Sequence, residues 1–424
     1  MPGFQAAERE NHAGPQIPEI IPRLFFRPAG VPGGYFFRQQ PASGCHQKRK
    51  YVWYEFWGRI LKFTIFGLTL SSSWGNGHAT PYRAILRALH QMGHDLVFYE
   101  KDVAYYAKRR DFSQTDFCRL YLYSEWDKIR AQAISDVRES DVVMNASYCP
   151  EGARICDEVL AISGPLHVFY DLDTPITLAN LGKGQLEYLR ADQIPAFDLY
   201  LSFTGGRILN ELENEWLAQK ALALYGCVDP DVYTRVPPRD DFRCLLSYMG
   251  TFARDRQHKV DELFLEPARE LSNDSFVLAG SMYPSDWAWS SNIRRFEHVA
   301  PADHSALYSS SRFTLNITRG GMARYGFCPS GRFFEASACG TPILSDWFEG
   351  LDQFFTPGEE ILIVNDSWDV VHALQYPDDS LRQLARQARE RTLTAHSGRR
   401  RASELIAYVE DARPSNRKSS LEVA

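Results

Sequence analysis

Long hydrophobic runs are missing from this 424-residue chain. The nearest case, Tyr51 to Leu70, is broken by Glu55, Arg59 and Lys62, so it does not supply the roughly 20 apolar residues that cross a bilayer. It also lies too far from Met1 for a secretory signal, and the expected location is the cytoplasm. Metal-type cysteine spacing is missing too. The eight cysteines, at 45, 118, 149, 156, 227, 244, 328 and 339, are scattered, with no CxxC pair and no zinc-like grouping with histidine. They read as free buried thiols in a reducing compartment, with no structural metal expected. A surplus of positive charge is absent: 47 Lys and Arg against 53 Asp and Glu leave a net charge of −6, and nothing attracts nucleic acid or anionic lipid globally. No second methionine occurs before Met92, beyond the first strand, so a later natural start would need a non-methionine codon near Val52 or Leu61; the N-terminal mass of the native protein checks this.

What is present is an alternation of strands and helices. At this length two domains are expected. Residues 1–58 carry many Pro, Gly, Arg and Gln without a sustained period and are expected to form a disordered extension that does no chemistry. From Lys62, KFTIFGLTL reads as a buried strand, SSSWGNGHAT as a Gly and Ser loop, and PYRAILRALHQMG as a helix. In that helix Thr80 can cap, Pro81 suits the first position, and Tyr82, Ile85, Leu86 and Leu89 share a face. The strand DLVFYE completes a βαβ unit whose crevice lies at the carboxyl ends of its strands. DVVMNAS, a helix around 153–162, LHVFYDLD, DLYLSF and a helix around 208–224 continue the first half, 59–235. The Pro-rich YGCVDPDVYTRVPPRDD reads as a link. The second half, 236–411, alternates CLLSYMG, a helix around 260–271, SFVLAG, RFEHV, RFTLNI, CPSGRFFEASACGTPIL and ILIV. A charged helical region, 380–411, shows an apolar stripe with Leu405, Ile406 and Val409, and a polar tail, 412–424, follows. The fold class is α/β, with both halves doubly wound sheets.

The stretch Cys328 to Leu344 carries the most chemistry. Ser330 can cap a helix, Gly331 lets a ligand approach its end, and Arg332 and Glu335 lie three apart on one face. A helix N-terminus beside an arginine suits a diphosphate, and a carboxylate one turn on can accept from sugar or ribose hydroxyls. The bland alternative is an ordinary helix start with surface charges. In the first loop Gly75, Asn76, Gly77 and His78 face the crevice, where His78 could orient a hydroxyl, serve as general base, or be structural. Asp171 and Asp173 end a strand; the triplet could hold Mg²⁺, contact an acceptor, cap the TPIT turn, or supply a base. A dehydrogenase is disfavoured, because GxGxxG would need glycine where Thr80 stands, and Trp74 is too bulky for the compact turn.

Taken together and in order, GNGHATPYRAILRALHQMGHDLVFYE, FYDLDTPIT, SFTGG, CVDPDVY, SYMGTFARDR and PSGRFFEASACGTPIL…WFEGLDQFF…GEEI resemble the CgeB-like, spore-maturation-protein-like glycosyltransferases, within the GT-B class and near its retaining family four, group 1. The resemblance covers about 62–410. It implies two Rossmann-like domains facing across a cleft, a nucleotide-sugar donor held by the second domain, and an acceptor (glycan, lipid, protein or small molecule) held by the first. By position, Glu335 matches the second Glu of the family's E-x7-E motif, near the donor ribose, and Gly331 and Arg332 would lie at the diphosphate. Phe327 stands where the first Glu would be. Gly250 and Thr251 fall where donor phosphate is cradled, with Arg254, Arg256, Lys259 and Arg319 as nearby cations. Asp171 or Asp173 would be the base if the enzyme inverts, and no metal is expected. A two-lobed binding or structural protein that has lost catalysis is the competing reading.

Overall fold

A computed structural model describes residues 59–284, 287 and 289–413. The expectations for 1–58 and for the tail from 414 lie outside the described residues. The first sheet comprises β1 (Lys62–Gly67), β2 (Asp95–Lys101), β3 (Arg119–Tyr123), β4 (Val142–Ala146), β5 (Leu166–Asp171), β6 (Leu199–Ser202) and β7 (Ala221–Ala223), in the order β3-β2-β1-β4-β5-β6-β7. The second comprises β8 (Cys244–Met249), β9 (Phe276–Ala279), β10 (Ile293–Phe296), β11 (Ser311–Asn316), β12 (Ile343–Ser345) and β13 (Leu362–Ile363), in the order β10-β9-β8-β11-β12-β13. All pairings are parallel, as in Phe63 opposite both Leu96 and Val142. Parallel strands covered by helices on both faces need apolar side chains throughout, which is why Phe63, Ile65 and Phe66 are all buried. In each sheet the strand order reverses beside the first strand, β1 or β8, and the crevice opens there. The doubly wound, two-lobed GT-B expectation holds.

Local differences have local causes. The sequence reading passed over β3 and the helix Trp126–Arg138 that follows it. RLYLY is an edge strand, half-buried over most of its length. The helix expected to run to Leu224 stops at Asn214; Leu217 takes a left-handed backbone, φ 59°, and Ala221–Ala223 becomes the outermost strand. RFEHV is displaced: the strand ends at Phe296, and Glu297 to Val299 form a loop. The helix expected over 260–271 is built of Gln257–Val260, a π-helical turn Asp261–Leu265 and Glu266–Glu270, with Pro267 lacking an amide N–H.

The domain boundary also needs correction. The C-terminal region is two helices, Asp378–Ala395 and Gly398–Ala412, broken at His396 and Ser397. The second does not belong to the second lobe. Its Ala402, Leu405, Ile406 and Val409 join Ile85 and Leu89 in the core of the first lobe, and each buried Leu or Ile there contributes about 2 kcal/mol. The return crossing is tied to the outward one, because Val228 N donates to His396 O and Gly398 N donates to Val228 O, at 3.1 and 2.8 Å. Arg401, buried at this crossing, donates to Tyr225 O and to His396 Nδ1.

Candidate functional site

In the second lobe the carboxyl ends of β8 and β11 meet the start of the helix Gly331–Ala338. Ser330 caps that helix, its Oγ accepting from Arg332 N at 3.4 Å. The Arg332 guanidinium is fixed by the strand ends. Its Nε donates to Met249 O at 2.5 Å and its Nη1 to Asn316 Oδ1 at 2.8 Å. Arg256 approaches from the loop after β8. It is buried, donates from Nη2 to Thr251 O, and has an Nε that finds no partner among the described residues. The two guanidinium groups lie 5.4 and 5.9 Å from the ring centroid of Tyr248, and among the described residues neither forms an ion pair. Burial, and then the neighbouring Arg332, pull the Arg256 pKa below its usual range, the Tyr248 hydroxyl opposing them. A buried cation with a like charge nearby and no carboxylate is costly, and an anion between the two would relieve the cost.

Two glycines, Gly250 and Gly280, end the strands beside this pair. Gly250 N donates to Ala279 O at 2.8 Å; a Cβ on Gly280 would run into Gly250 O, and a Cβ on Gly250 would crowd the Tyr248 hydroxyl and Arg256 Nη2. Glu335 points inward from the helix, its Oε2 accepting from Tyr308 OH at 3.0 Å, with Oε1 3.8 Å from where a Cβ on Gly331 would stand. The structure therefore brings together Gly250, Thr251, Arg256, Ser330, Gly331, Arg332 and Glu335. Three cations named from the sequence stand otherwise. Lys259 is paired with Asp346, which also accepts from Thr318; Arg319 Nε is 3.3 Å from Asp255 Oδ2; Arg254 is exposed and, among the described residues, forms no ion pair. Tyr248, Gly280, Tyr308 and Asn316 escaped the sequence reading. Asn316, a polar residue closing an apolar strand, was the one available signal.

In the first lobe the Gly-rich loop is anchored by Glu100 at the end of β2. Its buried carboxylate accepts from Leu70 N, Ser71 N, Ser71 Oγ and Thr69 Oγ1. The helix that follows is Ala79–Gln91, and its start differs from expectation. Asn76 Oδ1 accepts from His78 N and Ala79 N, while Thr80 is already helical and its hydroxyl meets Tyr233 OH at 3.3 Å. Gly75, at φ 65°, lies against the Tyr105 hydroxyl, and a Cβ on Gly77 would meet nothing. His78 is buried, its ring 5.3 Å from that of Tyr148 and its Nε2 3.7 Å from Asp173 Oδ2. Trp74 lies 3.7 Å from the Arg109 guanidinium carbon and 4.4 Å, ring to ring, from His298 of the other lobe. Asp171 is not available to substrate. It is fully buried and accepts from Tyr200 OH, Thr177 Oγ1 and Asp173 N at 2.7, 2.9 and 3.1 Å. That corrects its place among the candidate bases.

The two lobes touch at Phe327. Its backbone is left-handed, φ 45°, its N donates to Glu349 O at 2.6 Å, and its O accepts from Gly205 N at 3.0 Å. Its ring fills the space of the missing side chains of Gly206, in the first lobe, and Gly350, in the second. Beside it Thr204 Oγ1 donates to Cys328 Sγ at 3.2 Å.

Among the described residues there is no group of His, Cys, Asp and Glu that could hold a metal ion, and no helix long and apolar enough to cross a membrane. A comparison with curated proteins finds no match. Solved structures do match. One is a sucrose-phosphate synthase from Thermosynechococcus elongatus, 12% identical, TM-score 0.58, over 83% of this chain and 98% of that one. Another is an alpha-glucosyltransferase in complex with UDP-glucose and DNA containing an abasic site, 13% identical, TM-score 0.63, over 83% and 99%. A third is Anabaena HepE in complex with UDP and glucose, 8% identical, TM-score 0.57, over 83% and 100%. At such identities the likeness shows the fold, which is GT-B: two Rossmann-like lobes. The family described as glycosyl transferase-like matches residues 256–407, a stretch that begins at Arg256 and contains Arg332 and Glu335.

Proposed function

We propose that the chain is a CgeB-like glycosyltransferase that moves a hexose from a nucleoside-diphosphate sugar to a glycan, lipid, protein or small-molecule acceptor, without a divalent ion and with retention of configuration. The carrying observation is the unpaired Arg256 and Arg332 pair around Tyr248, at a capped helix start and a glycine-lined strand end. Negative charge builds on the diphosphate as it leaves. Fixed guanidinium and N–H donors stabilise that charge without a metal, and Glu335 is placed to accept from ribose hydroxyls. The seven described cysteines are free and nearly all buried, which supports a reducing, cytoplasmic setting.

The test is calorimetry of the full chain with UDP, GDP, ADP and TDP, with and without EDTA. UDP comes first, because it is bound in several structures of this fold. Saturable binding of one nucleotide, indifferent to EDTA and weakened at least about tenfold by Arg332→Ala, is expected. Binding of none would reject the reading. The Phe327 packing at the position of the family's first Glu favours a second reading, a binding protein without catalysis; absence of both donor hydrolysis and transfer would select it. Retention is read from the product anomer by NMR.

A further inference from the structure

The open edge of the second sheet carries a cavity that the donor reading does not use. β13 is the last strand in its order and pairs with β12, and the helix Ser367–Ala373 follows it after a short turn. Between this edge and that helix lies a cavity of about 460 Å³, bordered by Pro357, Leu362, Ile363, Asp369, His372 and Tyr376. Its size falls within the roughly 300–1,000 Å³ of small-ligand sites. Among the described residues no lysine or arginine lines it.

Its polar groups are held in place. His372 is exposed, yet its Nδ1 donates to Trp368 O at 2.9 Å and its ring lies 3.5 Å from that of Trp368, tilted by 33°. A carbonyl only accepts, so the neutral ring carries its proton on Nδ1 and presents Nε2 as an acceptor. Asp369 Oδ2 accepts from Asn365 N and Nδ2, at 2.8 and 2.9 Å, and among the described residues no donor reaches Oδ1. Two fixed acceptors thus border a wall of Leu362, Ile363 and the exposed Tyr376 ring.

That lining selects a ligand class. An anion finds no cation there. A peptide strand would need a longer edge than the two residues of β13. A cation would draw on the other acidic residues of the segment, but Glu360, Asp378 and Asp379 are paired with Arg391, Arg312 and Arg382. A neutral molecule with hydroxyl donors on one side and C–H groups on the other fits, and a sugar ring is such a molecule. Its hydroxyls would donate to Asp369 Oδ1 and His372 Nε2 while its C–H face packs on Tyr376.

We propose that this cavity, lined by second-lobe residues alone, binds a glycan and holds an acceptor chain by a part remote from its reacting hydroxyl; its role as acceptor holder rests on the transferase reading above. Tethering at a second point raises the effective concentration of the reacting end.

The experiment is calorimetry of the full chain with hexasaccharides of glucose, galactose, mannose and N-acetylglucosamine, followed by hydrogen exchange of the bound state. At least one is expected to bind and to slow exchange in residues 357–376. Its affinity should fall about fivefold in Tyr376→Ala and about threefold in His372→Ala. Melting temperature and nucleoside-diphosphate affinity should be unchanged in both, because these side chains are exposed and stand outside the donor site. Binding that leaves 357–376 unprotected, or that both variants keep in full, places the glycan elsewhere and overturns the inference, as does binding of none of the four. Tetralysine binding more tightly than every hexasaccharide, and lost with added salt, would make the cavity a cation site and also overturns it. The donor reading fails separately: if UDP, GDP, ADP and TDP all fail to bind while a hexasaccharide protects the cavity, the glycan site stands as that of a binding protein.

Discussion

A Cβ placed on Gly280 would lie 2.1 Å from the carbonyl oxygen of Gly250. The two residues close β9 and β8, and their backbones touch where the strand ends face the unpaired arginines. Gly250 cannot retreat, because its N donates to Ala279 O and its O accepts from Tyr283 OH at 3.0 Å. Gly280→Ala is expected to destabilise the chain by about 1–3 kcal/mol and to weaken nucleotide binding as the ends separate. Gly77→Ala is the control, since a Cβ there meets nothing within 4 Å. Melting curves and calorimetry check both; equal behaviour of the two variants would show that the β8 and β9 ends yield freely.

Glu100 has a comparable role in the first lobe, through hydrogen bonds. Its Oε2 accepts from Leu70 N at 2.7 Å and Ser71 N at 2.9 Å, and its Oε1 from Ser71 Oγ at 2.6 Å. Glu100→Gln replaces one acceptor oxygen with a donor nitrogen, leaving at least one buried donor unmet, at a cost of about 1–3 kcal/mol. The loss should be local. Hydrogen exchange at residues 69–73 should quicken more than exchange in β1, and uniform protection across both would contradict the assignment.

The C-terminal helix supplies a third prediction, because it carries the end of the chain into the first lobe. Gly398 approaches the first-lobe helix Ala79–Gln91 so closely that a Cβ would lie 2.4 Å from Ala84 O, and Leu405 is 1% exposed in the shared core. Leu405→Ala should cost about 2–5 kcal/mol by cavity formation, read by denaturant melting. A loss well under 1 kcal/mol would mean that the helix is not part of that core.

Periodicity made the repeated strand and helix units legible, since buried parallel strands and one-sided helices need the apolar patterns seen in KFTIFG and in the stripe of Tyr82, Ile85 and Leu89. Ser330, Gly331, Arg332 and Glu335 were legible because a cap, a glycine, a cation and a carboxylate at those spacings act within one local element. What escaped depends on distant contacts. Asn316 and Tyr308 gain their roles only when β11 and the helix Pro301–Ser310 pack against Arg332 and Glu335. The pairing of Lys259 with Asp346 joins residues 87 apart, and no local pattern shows that it removes a cation from the candidate site. Leu405, Ile406 and Val409 read as an apolar stripe, but nothing in a stripe names the lobe that it covers.

Asp171 gives a prediction whose sign follows from its surroundings. Its carboxyl is raised from an ordinary 3.8 to about 6, because burial outweighs the hydrogen bonds from Tyr200, Thr177 and Asp173 N, which lower it. Between these values the folded chain holds more protons than the unfolded one, so this group makes stability fall as pH rises from about 4 to about 6. The full cost above that window is about 3 kcal/mol. Asp171→Asn keeps an acceptor for Thr177 and cannot ionise. Its stability relative to the parent should therefore climb by about 3 kcal/mol over the same window, whatever constant offset the new amide introduces. His396, pushed down to about 3 by burial and by Arg401, tilts the absolute curves the other way, but it does so in both proteins and cancels in the difference. Denaturant melts of parent and variant at pH steps through the window measure that difference, and parallel curves would show that Asp171 titrates alike in the folded and unfolded chains.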